Sequence, residues 1–153
     1  DATVLAYDDN PKRRRELAQV LKGQSRAVLV ADTQQLLDWA GKVELVVVDA
    51  PCSNTAVLAR RPEARHRATE EAIEQLVKLQ RQILADAIPL LAPDGALLYA
   101  TCSLDARENE EQAQWLSRWH SLDAARSQQR LPCAGPGEPE ERYTDGSFAT
   151  LVR

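Results

Sequence analysis

Apolar residues in this chain alternate between short unbroken runs and longer stripes at helical spacing. Val4-Leu5-Ala6-Tyr7 leads to Asp8, and Ala27-Val28-Leu29-Val30-Ala31 leads to Asp32. Val43 to Val48 leads to Asp49, and Gly95-Ala96-Leu97-Leu98-Tyr99 leads to Thr101. Ser147 to Val152 closes the chain. Runs of this length read as strands buried in a mostly parallel sheet. Between them lie stripes of period 3.6. Asn10-Pro11 opens a helix carrying Leu17, Val20 and Leu21 and stopping at Gly23. A short helix is expected around Gln34 to Ala40. A long one runs from about Thr69 to Leu91, with Ile73, Leu76, Val77, Leu79, Gln80, Ile83, Leu84 and Ala87 inward. Pro93-Asp94-Gly95 reads as a turn. Asp105 to Trp119 is the last helix, with Asp105 and Glu108 as a cap-like pair and Trp115, Leu116 and Trp119 buried. Leu131 to Arg142 is a Pro/Gly-rich loop. Strands alternating with helices predict an α/β fold with helices on both faces of the sheet.

Composition adds bounds. At 153 residues the chain is expected to form a single domain spanning 1–153. Apolar residues at 44% and charged residues at 27% match an ordinary globular protein. No apolar run approaches the ~20 residues of a membrane span, and no signal peptide is visible, so no membrane partner is expected. Three cysteines without a close pair fit a reducing compartment, and the cytoplasm is the expected location. His66 and His120 have no metal-ligand spacing, and no metal is expected. The net charge of −4 argues against uniform coating of nucleic acid, but the cations are clustered. Arg60, Arg61, Arg65 and Arg67 form one group, placed to meet nucleic-acid phosphates if it lies beside an active loop. Lys12 to Arg15 form a second, read as a solvated helix face apart from Arg13.

The chemistry gathers at strand ends. Asp49-Ala50-Pro51-Cys52-Ser53 and Thr101-Cys102-Ser103 each follow a predicted strand. In open α/β sheets ligands sit beyond the carboxyl ends of the strands, so two thiols delivered there beside an Asp point to covalent chemistry. A single cysteine is more often a small buried hydrophobe, and that reading is kept for Cys133. Asp8, Asp32 and Asp49 could each be a turn-forming cap, but three acids at successive strand ends make a binding edge the stronger reading.

These motifs resemble the NOL/NOP/Sun family of RNA cytosine-5 methyltransferases. Asp49 to Thr55 is similar to that family's D-A-P-C-S-G-T-G segment. Tyr99-Ala100-Thr101-Cys102-Ser103 with Glu108-Asn109-Glu110-Glu111 is similar to its Y-S-T-C-S…E-N-E-E signature. Leu79-Gln80 and Ile83-Leu84 resemble its L-Q…L-L segment, and Asp145 to Ala149 its terminal hairpin. Bacterial enzymes that methylate 16S ribosomal RNA come nearest. The resemblance implies a Rossmann-like, class I S-adenosylmethionine-dependent fold, a mostly parallel sheet with a C-terminal antiparallel strand. It implies that Cys102 attacks carbon 6 of cytosine, that Cys52 assists release, and that Asp49 contacts the base edge. It further implies that S-adenosylmethionine is held by Asp8 at the ribose, Asp32 at the adenine end, and Arg13 and Asp49 nearby, with RNA, ribosomal above all, as partner.

Two departures set further expectations. The fold's first strand and its Gly-rich cofactor loop have no counterpart, so the domain is expected to be incomplete at its N-terminus, with a gap between the strands ending at Asp8 and Asp49. Ala56 replaces a Gly that could supply positive φ or close approach of substrate. Two alternatives stay open: a non-catalytic RNA-binding relative or inactive fragment that no longer binds cofactor, and a DNA cytosine methyltransferase in which Cys52 attacks.

Overall fold

A computed structural model describes residues 2–66, 68–133, 137 and 139–153. The elements run β1 (Val4–Ala6), α1 (Pro11–Val20), β2 (Ala27–Leu29), α2 (Thr33–Leu37), β3 (Val43–Asp49), α3 (Glu70–Ala87), β4 (Leu91–Thr101), α4 (Glu110–His120), β5 (Ala124–Arg130) and β6 (Ser147–Val152). The helix starts follow local chemistry. The Asn10 side chain accepts from the backbone N–H groups of Lys12 and Arg13, with Pro11 at the first helical position. Thr69 caps α3 by accepting from Ala72 N–H.

β3 and β4 pair in parallel, while β6 runs antiparallel between β4 and β5. β1 and β2 pair in parallel as a separate two-stranded sheet. Neither pairs with β3, which is therefore an edge of its own sheet. Residues along its rim are correspondingly open: Leu45 is 50% and Val47 59% exposed.

Register explains where the core forms. Val46 and Val48 pair with Leu97 and Tyr99, which pair with Val152 and Thr150. These residues share one face. Leu84 of α3 and Leu116 of α4 pack onto it with Phe148 and Ala50. Both long helices therefore cover the same face of the four-stranded sheet, and the expectation of helices on both faces fails there. The opposite face presents Leu45, Val47, Leu98 and Leu151, none of them buried.

Three further expectations change. The turn at Pro93-Asp94-Gly95 lies inside β4, whose pairing with β3 is irregular between Val43 and Leu45. A Cβ on Gly95 would stand 2.9 Å from the carbonyl oxygens of both Ala92 and Val43, so only glycine fits this irregularity. Trp119 is 65% exposed rather than buried, lying beneath the Arg118 guanidinium, because the buried stripe of α4 runs through Gln112, Ala113 and Leu116. β5 was not expected as a strand.

Candidate active site

The loops after β3 and β4 lie side by side at the carboxyl edge of the sheet. Ala50 N–H donates to Ala100 O at 3.0 Å, and Ala56 N–H to Cys102 O at 3.0 Å. The two strands thus deliver their cysteines to one point. Cys52 Sγ and Cys102 Sγ are 3.1 Å apart. Cys102 N–H donates to Cys52 Sγ at 3.3 Å, and the Cys102 thiol donates to Asn54 Oδ1 at 2.9 Å. Cys52 is buried and Cys102 half-buried.

Their environments separate the two thiols. A hydrogen bond from Cys52 brings Cys102 down to about 7, against burial and the Asp49 carboxylate, with Arg61 assisting. Cys52 is pushed well up, first by the same hydrogen bond and then by burial. The contact thus favours the charged form of Cys102 and the protonated form of Cys52. A cavity of about 350 Å³ opens beside Cys52, lined by Ser53, Asn54, Gln75, Leu76 and Leu79.

Asn54 holds this loop. It adopts φ +61°, the left-handed region, and its Nδ2 donates to Cys52 O at 2.9 Å. The family segment quoted above has Gly at this position. Ala56 does not have positive φ, so the conformational demand expected at position 56 falls at position 54 instead. Ala56 is fully buried, and its carbonyl accepts from Gly146 N–H. A Cβ on Gly146 would stand 3.0 Å from that of Ala56, so the terminal hairpin approaches this loop closely.

Beneath the cysteines lies a buried polar cluster. Glu108 accepts from Ser53 N–H (3.0 Å), Ser53 Oγ (2.6 Å), Ser103 Oγ (2.6 Å) and Gln80 Nε2 (2.9 Å). Thr101 Oγ1 donates to Asn109 Oδ1, whose amide donates to Ser103 O. The expected Asp105–Glu108 cap pair is thus only half formed. Asp105 accepts from Arg107 N–H, whereas Glu108 turns inward because it finds four donors there. Sequence reasoning missed Asn54, Ser53, Ser103 and the placement of Glu108. The repeated Cys-Ser dipeptide was the available signal.

Asp8 and Asp32, the acids expected to meet the cofactor, follow adjacent parallel strands. Asp8 accepts from Asn10 N–H (2.8 Å) and Arg13 Nε (2.7 Å), and Arg13 holds its carboxyl below the ordinary range. Asp32 caps α2 and is exposed. Each retains unused acceptor capacity, which suits hydroxyl and amine donors of a nucleoside. Asp49 is exposed at the end of β3. Arg14 is not free on a solvated face: its Nη1 donates to the carbonyls of Asp8 and Asp9. Arg60, Arg61 and Arg65 are exposed. Arg60 pairs with Asp145 and Arg65 donates to His66. Arg67 lies outside the described residues.

Comparison with known proteins places the chain in a family. The family model described as 16S rRNA methyltransferase RsmB/F matches residues 1–141. Ribosomal RNA small subunit methyltransferase B of Salmonella paratyphi A is 35% identical over 162 residues, covering 100% of this chain and 37% of that protein. The chain therefore spans little over a third of that relative's length. NSun6 from Pyrococcus horikoshii, solved with SFG, an S-adenosylmethionine analogue, aligns with TM-score 0.71 and 26% identity over 99% of this chain and 41% of that one. A methyltransferase homologue from Pyrococcus horikoshii aligns with TM-score 0.74 at 24% identity, over 100% of this chain and 53% of that one, a likeness of fold. With the motif cysteines meeting at one sheet edge and the family model matching nearly the whole chain, the chain belongs to the RsmB/F family of 16S rRNA methyltransferases.

Proposed function

We propose that this chain carries the catalytic face of an RNA cytosine-5 methyltransferase, with 16S ribosomal RNA as substrate. The observation that carries the reading is the 3.1 Å meeting of two thiols whose proton affinities are driven apart. Carbon 5 of cytosine is too weak a nucleophile to take a methyl group directly. Cys102, as thiolate, adds to carbon 6 and makes carbon 5 enamine-like. S-adenosylmethionine, when bound, supplies the methyl group. A solvent water then takes the carbon 5 proton, the freed electron pair re-forms the carbon 5–carbon 6 double bond, the carbon 6–sulfur bond breaks, and Cys102 departs as thiolate. Cys52, protonated and adjacent, stabilises the departing sulfur by donating a hydrogen bond to it, and so assists release. Asp49, at the end of β3, is assigned to the cytosine edge. Asp8, Asp32 and Arg13 are assigned to the nucleoside end of the cofactor. The exposed Arg60, Arg61 and Arg65, with Arg67, are assigned to RNA phosphates. The target base must leave any stack to reach this edge.

The same geometry favours Cys102 over Cys52 as nucleophile, which separates this reading from a DNA cytosine methyltransferase. Tritiated methyl transfer to 16S RNA and to duplex DNA, followed by nucleoside analysis, tests it. Label in 5-methylcytidine of RNA, lost in Cys102→Ser, is expected. Label in DNA, or no label although cofactor binds by calorimetry, contradicts it.

A further inference from the structure

We infer that Glu108 is a positioning residue that holds the two cysteine loops at a fixed separation, acting through Ser53 and Ser103. The inference rests on the proposed nucleophilic use of Cys102. Glu108 is fully buried, and among the described residues no Lys, Arg or His pairs with it. Burying a carboxylate without a cation is costly unless hydrogen bonds replace its hydration. Four donor groups do so here, and they are not scattered. Two belong to Ser53, the residue after Cys52, and one to Ser103, the residue after Cys102. The fourth, from Gln80 Nε2, also bonds Pro51 O, the residue before Cys52. Glu108 is fixed from behind, because Tyr99 OH donates to its carbonyl at 2.7 Å. Its side chain thus ties residues on both sides of Cys52 and beside Cys102 to a single rigid point.

Without Glu108 the two loops would still be joined by backbone bonds from Ala50 N–H to Ala100 O and Ala56 N–H to Cys102 O, by Leu104 N–H to Thr55 Oγ1, by the contacts of Cys102 with Cys52 and Asn54, and by the Ser53–Ser103 and Thr55–Ser103 hydroxyl pairs. Glu108 differs from these in gathering Ser53 N–H, both serine hydroxyls and Gln80 on one buried side chain, so its loss leaves four donors without their common acceptor. A small shift would lengthen the contact between the two sulfurs, on which the thiolate at Cys102 depends. The charged and titratable groups acting on Cys102 are Cys52, Asp49 and Arg61. Glu108 therefore reaches Cys102 by geometry rather than by its own charge.

Peptide-resolved iodoacetamide labelling of Cys102 against pH tests this without RNA or cofactor. In the unaltered protein the labelling midpoint of Cys102 is expected below the ordinary thiol range, at about 7. Glu108→Ala is expected to raise the midpoint toward the ordinary thiol range, slowing labelling at pH 7 by roughly 15-fold. Glu108→Gln keeps one acceptor oxygen and should recover most of the shift, which a purely structural role would not require. Ser103→Ala, a milder change, should raise the midpoint less. An unmoved midpoint in a Glu108→Ala protein that melts cooperatively overturns the inference. If that variant does not fold, an unmoved midpoint in Ser103→Ala overturns it. RNA methylation is assayed in parallel. A midpoint that shifts in a protein unable to methylate RNA sinks the methyltransferase reading alone, whereas methylation with an unmoved midpoint sinks the positioning role alone.

Discussion

Asn54 shows how much one side chain does at this site. Its backbone sits at φ +61°, its amide holds Cys52 O, and its oxygen accepts from Cys102. Asparagine tolerates this region and glycine prefers it, while a β-branched residue does not. Asn54→Val is expected to cost about 1–2 kcal/mol in urea unfolding. Asn54→Gly should keep most of the stability but lose the contact to Cys102. Equal stability of the Val variant would remove the account of this loop. The cysteines, Asp49 and the acids after β1 and β2 were legible in sequence because each ends an apolar run. Glu108 was not. At the start of a helix a Glu reads as a cap, and only the fold reveals four donors facing it. Helical periodicity placed Gln80 inward, but it is blind to the residues that complete the buried polar cluster, Ser53, Ser103, Glu108 and Asn109.

Among the elements, α3 and α4 hold β3 and β4 from one side and so fix the loops that carry the cysteines. Leu84 is fully buried between α3 and the sheet. Leu84→Ala is expected to cost about 2–5 kcal/mol, and Trp119→Ala, on an exposed surface, under about 0.5 kcal/mol. Chemical denaturation measures both, and a large Trp119 effect would mean that α4 is oriented otherwise. Sequence placed both helices within a few residues, since their stripes are long. Trp119 misled because its spacing from Trp115 is helical but falls one turn beyond the buried residues. β5 was illegible for a different reason. Its sequence, Ala124 to Arg130, is exposed throughout and lacks period-2 alternation. It is a strand because β6 offers it a partner, with Ser127 and Thr150 hydroxyls bonded across the pair at 2.8 Å.

Across the whole molecule, the order β3-β4-β6-β5 beside a separate β1-β2 pair leaves β3 as an edge. Val47 lies on that edge at 59% exposure. An open apolar edge strand favours self-association, and lysine blunts it. Val47→Lys is therefore expected to change stability by under about 0.5 kcal/mol while lowering light scattering at high concentration. A loss of several times that amount would mean the residue is buried in solution. The separation of the two sheets was predictable, because strand order in this fold follows from the motifs and not from local propensity.

The central claim is that Cys102 attacks and Cys52 releases. The most direct measurement is denaturing electrophoresis of labelled 16S RNA incubated with S-adenosylmethionine and each variant. Cys52→Ser should accumulate RNA covalently bound to protein, and Cys102→Ser and the double variant should show none. Loss of the adduct in Cys52→Ser, with its retention in Cys102→Ser, would contradict the account.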